Sequence, residues 1–250
     1  MTDTAEIVGP RPLQARTRWL MVPLVLAAAP VLVLLKSTIV DWDSSPLISS
    51  QRVGIEVMYQ LAGLGLAAVV LAVAYLLAPD GVRRFLRRGD TRAPVVPVPL
   101  VGITPGPGET WLQVGRNFAI VVTGVTALAV LLPVVQNGAF DLGRLAGLLP
   151  VILLLALSNA VVEEAIFRFG LVATLAGLVE PWKIALLSGA IFGGIHFFGV
   201  PGGPAGVVLA GFLGWLLAKS MLETRGVGWA LAIHFLQDVV IFAAILLLAA

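Results

Sequence analysis

Cysteine is absent from the 250 residues, which excludes disulfides, thiol nucleophiles and thiolate metal sites. Charge is scarce: Asp, Glu, Lys and Arg make up 12% of the chain, where a soluble domain carries roughly 25%. Histidine occurs only twice. Hydrophobic residues fill the space at 59% of the chain, and the mean hydropathy is +1.01. A water-soluble core does not account for that excess. The chain reads as an integral, multi-pass membrane protein, so the useful count is of spans of ~20 apolar residues. The lipid bilayer is its first partner. The net charge of +2 carries no message by itself, and no nucleic-acid partner is expected.

Seven apolar runs cover residues 19–35, 53–78, 118–135, 150–179, 184–198, 205–218 and 228–250. Helices are expected, because open strands cannot span lipid. No small-residue cleavage site ends the first run, and Lys36 does, so it is expected to be a retained span. The expected organisation is a cytoplasmic N-terminal tail (1–18), two N-terminal spans (19–78), a cytoplasmic loop (79–116) and a membrane-embedded core (117–250). The loop holds Arg83, Arg84, Arg87, Arg88 and Arg92, then prolines at 94, 97, 99, 105 and 107. Its first part reads as an amphipathic surface turn, its second as an irregular linker.

The fourth run is ambiguous. The stretch 145–179 is too long for one straight span at ~1.5 Å per residue. It is either one helix starting near Pro150 or two spans breaking near Glu163. Loop charges arbitrate. With seven spans and the N-terminus inside, Arg11, Arg16, Arg18, the arginines from Arg83 to Arg116, Lys183, Lys219 and Arg225 fall inside. Lys36, Arg52 and Arg144 fall outside, the bias of the positive-inside rule. Splitting the run moves Lys183, Lys219 and Arg225 outside and weakens the bias. The expectation is an all-α polytopic bundle of seven membrane helices, or eight if the fourth run divides. Asp41 and Asp43 then sit in an outer loop, and residues 139–149 lie along the membrane surface.

An ionisable group at mid-membrane costs about 2.5–3.5 kcal/mol on the insertion scale, so such groups mark function by default. Glu56, Glu163, Glu164, Arg168, His196, His234 and Asp238 all fall in apolar runs. The alternative for each one is a paired polar group that glues helices. Ordered spacings weigh against that alternative for the set. Glu163 and Glu164 are adjacent and point about 100° apart on a helix. Arg168 is i+4 from Glu164, so those two can pair. Glu163 then faces elsewhere without a local cation, which suggests a structural Glu164 and a working Glu163. The competing reading is a buried triad in which both glutamates share Arg168. His234 and Asp238 share one face of the last helix. Gly193, three residues before His196, lets another helix or a substrate backbone approach. In the seven-helix arrangement, helical rise puts Glu163 and His196 at about 20 Å, and His234 with Asp238 at ~10–15 Å, from the inner side. All meet in one chamber.

A carboxylate and a histidine can hold and deprotonate one water. A second histidine with a polar partner can stabilise an oxyanion. Together they fit attack of water on an amide carbonyl. Ser158 and Ser188 read as helix-packing residues. Two histidines plus carboxylates are also a legitimate zinc set, so Glu163, His196, His234 and Asp238 could hold zinc or another divalent metal. The H-E-x-x-H signature of zincins is missing.

The motifs carry a resemblance. Glu163-Glu164-Ala-Ile-Phe-Arg168 matches E-E-x-x-x-R, Phe192-Gly-Gly-Ile-His196 matches F-x-x-x-H, and His234-Phe-Leu-Gln-Asp238 matches H-x-x-x-N/D. In order and spacing, residues 145–245 resemble the CAAX prenyl protease and bacteriocin-processing family, also called CPBP or Abi. The resemblance implies an intramembrane endopeptidase acting on membrane-associated peptides or proteins. It implies Glu163 as general base, His196 holding the water, His234 and Asp238 at the oxyanion, and Glu164 with Arg168 supporting the geometry. Family members are often called metalloproteases, but a metal-free glutamate mechanism is also argued, and no cofactor is the expectation here. Two departures stand out: Phe169 separates Arg168 from Gly170, where Arg-Gly is common, and Asp238 replaces the asparagine of the prenyl proteases. An ionised aspartate cannot donate to an oxyanion; it can orient His234, be held protonated by burial, or ligate a metal. The competing functions are a non-catalytic scaffold or bacteriocin-immunity protein, and an ion or proton carrier.

Overall fold

An apolar segment in lipid must satisfy its own backbone hydrogen bonds, and the helix does so within one segment. The computed structural model describes residues 12–41, 51–199 and 202–248, and it is all-α. The helices are α1 (Pro12–Arg18), α2 (Met21–Asp41), α3 (Gln51–Leu77), α4 (Pro79–Phe85), α5 (Trp111–Gln136), α6 (Leu142–Glu164), α7 (Gly170–Leu175), α8 (Pro181–Ile195), α9 (Gly203–Thr224) and α10 (Gly228–Leu248). Asp41 is the last residue of α2, and Asp43 lies outside the described residues.

Among the described residues, six segments are long and apolar enough to cross a membrane: Leu13–Ile39, Gln51–Leu77, Trp111–Gln136, Leu142–Leu175, Gly203–Thr224 and Gly228–Leu248. The fifth apolar run does not reach that length. It folds as α8, 15 residues long, followed by a 3-10 turn at His196–Phe198. At ~22 Å the helix is shorter than the hydrocarbon core. His196 therefore stands at a helix end. The fourth run is one continuous segment with no reversal at Glu163. It starts at Leu142, where the Asp141 carboxylate accepts from the Arg144 N–H at 2.7 Å. Residues 142–149 thus belong to this helix and do not form a separate surface stretch. Pro150 sits inside it, which membrane helices tolerate.

Contacts between helices fix their directions. Lys36 meets Glu56, so α2 and α3 are antiparallel. Gln60 meets Asn159 and Gly63 meets Val162, so α3 and α6 are parallel. Arg144 meets the carbonyls of Leu246 and Leu247 while Glu164 meets His234, so α6 and α10 are antiparallel. Gly193 packs on Val207 and Gly211, and Gly189 on Gly211 and Trp215, so α8 and α9 are antiparallel. The apolar segments alternate in direction, counting α6–α7 as one and α8 as one. One end of the bundle carries the loop arginines and Arg225; the other carries Lys36, Arg52 and Arg144. Leu128 is 73% and Leu154 65% exposed on the outside of the bundle, a surface suited to lipid.

The Pro/Gly-rich stretch is not a loose linker. Ala93, Val95 and Ile103 pack with Trp111, Val114 and Leu216. Glu223 of α9 accepts from the Val96 N–H at 3.1 Å and from Trp111 Nε1 at 2.9 Å. Lys219 pairs with Glu223 and donates to the Val96 carbonyl at 2.7 Å. The arginine stretch before it is tied to the α9–α10 turn, with Val227 N–H on the Arg87 carbonyl at 2.8 Å.

Candidate active site

The site starts where α6 loosens. After Glu164 the helix makes a π-turn over Ala165–Phe169 before resuming as α7. Single π-turns recur at functional sites. Here the turn spans Arg168 and the extra Phe169. Every residue from Glu164 to Leu175 is buried. Ser188 of α8 donates to the Phe167 carbonyl at 2.9 Å, and Ser158 donates to carbonyls of its own helix. Both serines thus serve the main chain. A Cβ on Gly170 would lie 3.1 Å from Met21 Sδ and Val70 Cγ1, so α2 and α3 close tightly over this turn.

Arg168 Nη1 lies 2.5 Å from Glu164 Oε1, and both side chains are buried. The guanidinium carbon is 3.8 Å from the centre of the Phe192 ring, a cation–π contact in a water-poor setting. Among the described residues, Arg168 Nε and Nη2 have no hydrogen-bond partner.

His234 of α10 enters between the two glutamates. Its Nδ1 is 2.6 Å from Glu164 Oε1, its Nε2 3.3 Å from Glu163 Oε2 and 3.7 Å from Asp238 Oδ2. Glu163 has no cation on its own helix, as its spacing implies, and the imidazole beside it is supplied by α10. Glu163 is the most accessible of these four, at 14% of its side chain.

His196 is placed differently. Its Nδ1 lies 2.8 Å from the Phe192 carbonyl, one turn back. A carbonyl only accepts, so Nδ1 carries the hydrogen and Nε2 of the neutral ring presents a lone pair. The ring packs 4.2 Å from the Phe192 ring, which lies 5.8 Å from the His234 ring. His196 and Glu163 interact electrostatically but share no direct hydrogen bond among the described residues. Gly193 serves a helix: a Cβ there would be 2.5 Å from the Val207 carbonyl of α9.

Phe192, the first residue of the F-x-x-x-H motif, touches Arg168, His196 and His234. Sequence reasoning missed the amides around Asp238. Asn159, one turn before Glu163, donates to Asp238 Oδ2 at 3.1 Å, and Gln60 of α3 donates to Asn159 Oδ1 at 3.1 Å. Gln237 bonds Thr123 and Thr126 of α5. The available signal was an amide in an apolar run. Glu56 is buried at the other end of this polar line, with Lys36 and Arg52 each 3.4 Å away.

A divalent metal fits poorly. The His234 Nδ1 is held by Glu164 Oε1 at 2.6 Å, and the His196 ring packs on Phe192. No group of three or more His, Asp or Glu side chains that could hold an ion forms among the described residues.

Fold and site define a class: a polytopic helical membrane protein with a buried carboxylate–imidazole centre and, among the described residues, no serine nucleophile at it. Residues 145–240 match the family model of Rce1-like type II CAAX prenyl endopeptidases. No curated protein matches the chain, and no solved structure does.

Proposed function

We propose that the protein is an intramembrane endopeptidase of the CAAX protease type, hydrolysing membrane-associated peptides or proteins with a metal-free, glutamate-activated water. The observation that carries this reading is the His234 imidazole held between Glu164 and Glu163 at 2.6 and 3.3 Å, buried among membrane helices. Glu163 takes a proton from water while the His196 Nε2 lone pair accepts the water's other hydrogen. The water oxygen bonds to the carbonyl carbon, and the negative charge moves to the carbonyl oxygen. The His234 Nε2 side, facing Glu163 and Asp238, is where a donor meets that oxygen. As the C–N bond breaks, the proton held by Glu163 passes to the leaving amine. Asp238 orients His234, and the Arg168–Glu164 pair fixes the other face of the ring.

The arginine-rich end of the bundle is proposed to face the cytoplasm, with the N-terminus on that side. The family description supplies the first substrate to try, a prenylated peptide with a C-terminal CAAX sequence. The test reconstitutes the full chain in liposomes with a quenched fluorescent peptide of that kind and with an unprenylated membrane-anchored control. Cleavage is expected from the parent, at a rate unchanged by a chelator, and a loss of about 100-fold or more is expected in Glu163→Ala and His196→Ala. Unchanged cleavage in both variants overturns the reading; loss on chelation overturns its metal-free part.

A further inference from the structure

The family match begins at residue 145, yet one polar contact to the site comes from α3, far earlier in the chain. Gln60 is 4% exposed and Asp238 also 4%, and Asn159 stands between them. Gln60 Nε2 donates to Asn159 Oδ1 at 3.1 Å, and Asn159 Nδ2 donates to Asp238 Oδ2 at 3.1 Å. That same Oδ2 is the atom 3.7 Å from His234 Nε2. The order of donors is set by chemistry. A carboxylate oxygen facing an amide accepts, so Asn159 must turn its NH2 toward Asp238. Its carbonyl then points away and needs a donor. Gln60 is the donor present, and a buried carbonyl without one is costly.

We propose that Gln60 and Asn159 are positioning residues for Asp238: a directional amide relay from α3 through α6 that holds Oδ2 at the His234 imidazole. The N-terminal helices are then a working part of the site, not only an anchor. Gly63 is consistent with this, because a Cβ there would sit 3.1 Å from Val162 Cγ1, so α3 and α6 pack closely one turn from Gln60. Glu56, one turn before Gln60, is fastened to Lys36 and Arg52 and steadies α3 against α2.

The inference rests on the endopeptidase reading, and its test uses the same reconstituted full chain. Gln60→Met keeps the length without a donor. Gln60→Glu keeps the shape but presents only acceptors. Asn159→Ala removes the middle link. Each is expected to lower kcat about 10- to 100-fold, since a misplaced group near the reacting atoms costs that much. KM is expected to stay within about twofold and the unfolding temperature close to the parent's. The Gln60→Met/Asn159→Ala double variant is expected to lose no more than the more damaging single, because both act through one path. If Gln60→Met does not fold, Gln60→Glu carries the comparison. A parent that shows Glu163-dependent cleavage while the Gln60 variants keep full kcat, or lose it only in step with stability, overturns the relay alone. A parent with no Glu163-dependent cleavage overturns the endopeptidase reading first.

Discussion

Replacing Arg168 with methionine tests the charge arrangement at the centre of the bundle. The pair it breaks is 2.5 Å long, with side chains 0% and 2% exposed. Unit charges ~4 Å apart at an effective dielectric of 20 attract by about 4 kcal/mol. The Phe192 contact adds roughly 2 kcal/mol in a desolvated setting. Against this, His234 remains on Glu164 Oε1 and retains part of the compensation. The net expectation for Arg168→Met is a loss of about 3–5 kcal/mol, the range for stripping one partner from a buried ion pair. The Arg168→Met/Glu164→Gln double variant removes both charges and is expected to lie within ~1 kcal/mol of the parent. The assay is SDS titration in mixed micelles, followed by fluorescence of the six tryptophans. A single variant within ~1 kcal/mol of the parent, or a double variant as unstable as the single, refutes the reasoning, since neither outcome is compatible with Glu164 depending on Arg168 for its burial.

Gly193→Val is expected to push α9 off α8 and cost more than about 2 kcal/mol by thermal unfolding, whereas Gly194→Ala, with nothing within 4 Å of its Cβ position, is expected to stay within ~0.5 kcal/mol. Equal effects at the two glycines would show that helix approach is not what Gly193 serves. Glu223→Ala strips the acceptor from Val96 N–H and Trp111 Nε1 and leaves Lys219 without its carboxylate. Hydrogen exchange across residues 94–110 is expected to rise by at least about tenfold, the equivalent of 1.4 kcal/mol; unaltered exchange would place the loop's anchor elsewhere.

Several features of this protein follow from the amino-acid order alone. Apolar runs become helices because lipid leaves the backbone no other partner. Glu164 pairs with Arg168 because both lie on one helix at i, i+4, a distance set by local geometry. The alternation of chain direction agrees with the loop arginines for a similar reason: run length and charge are local quantities. Other features have no local signature. Glu163 looked solitary, and its imidazole neighbour arrives from 71 residues later, on a helix whose rotation is set by packing against α6. His196 was placed by helical rise at the depth of Glu163, but α8 ends there, so its ring bonds its own backbone and reaches the site through Phe192. Asn159 and Gln60 read as ordinary amides in apolar runs until α3 and α6 are set side by side. Spacing along a helix decides which side chains share a face. Only the register and rotation of one helix against another decide which faces meet, and tertiary packing alone determines those.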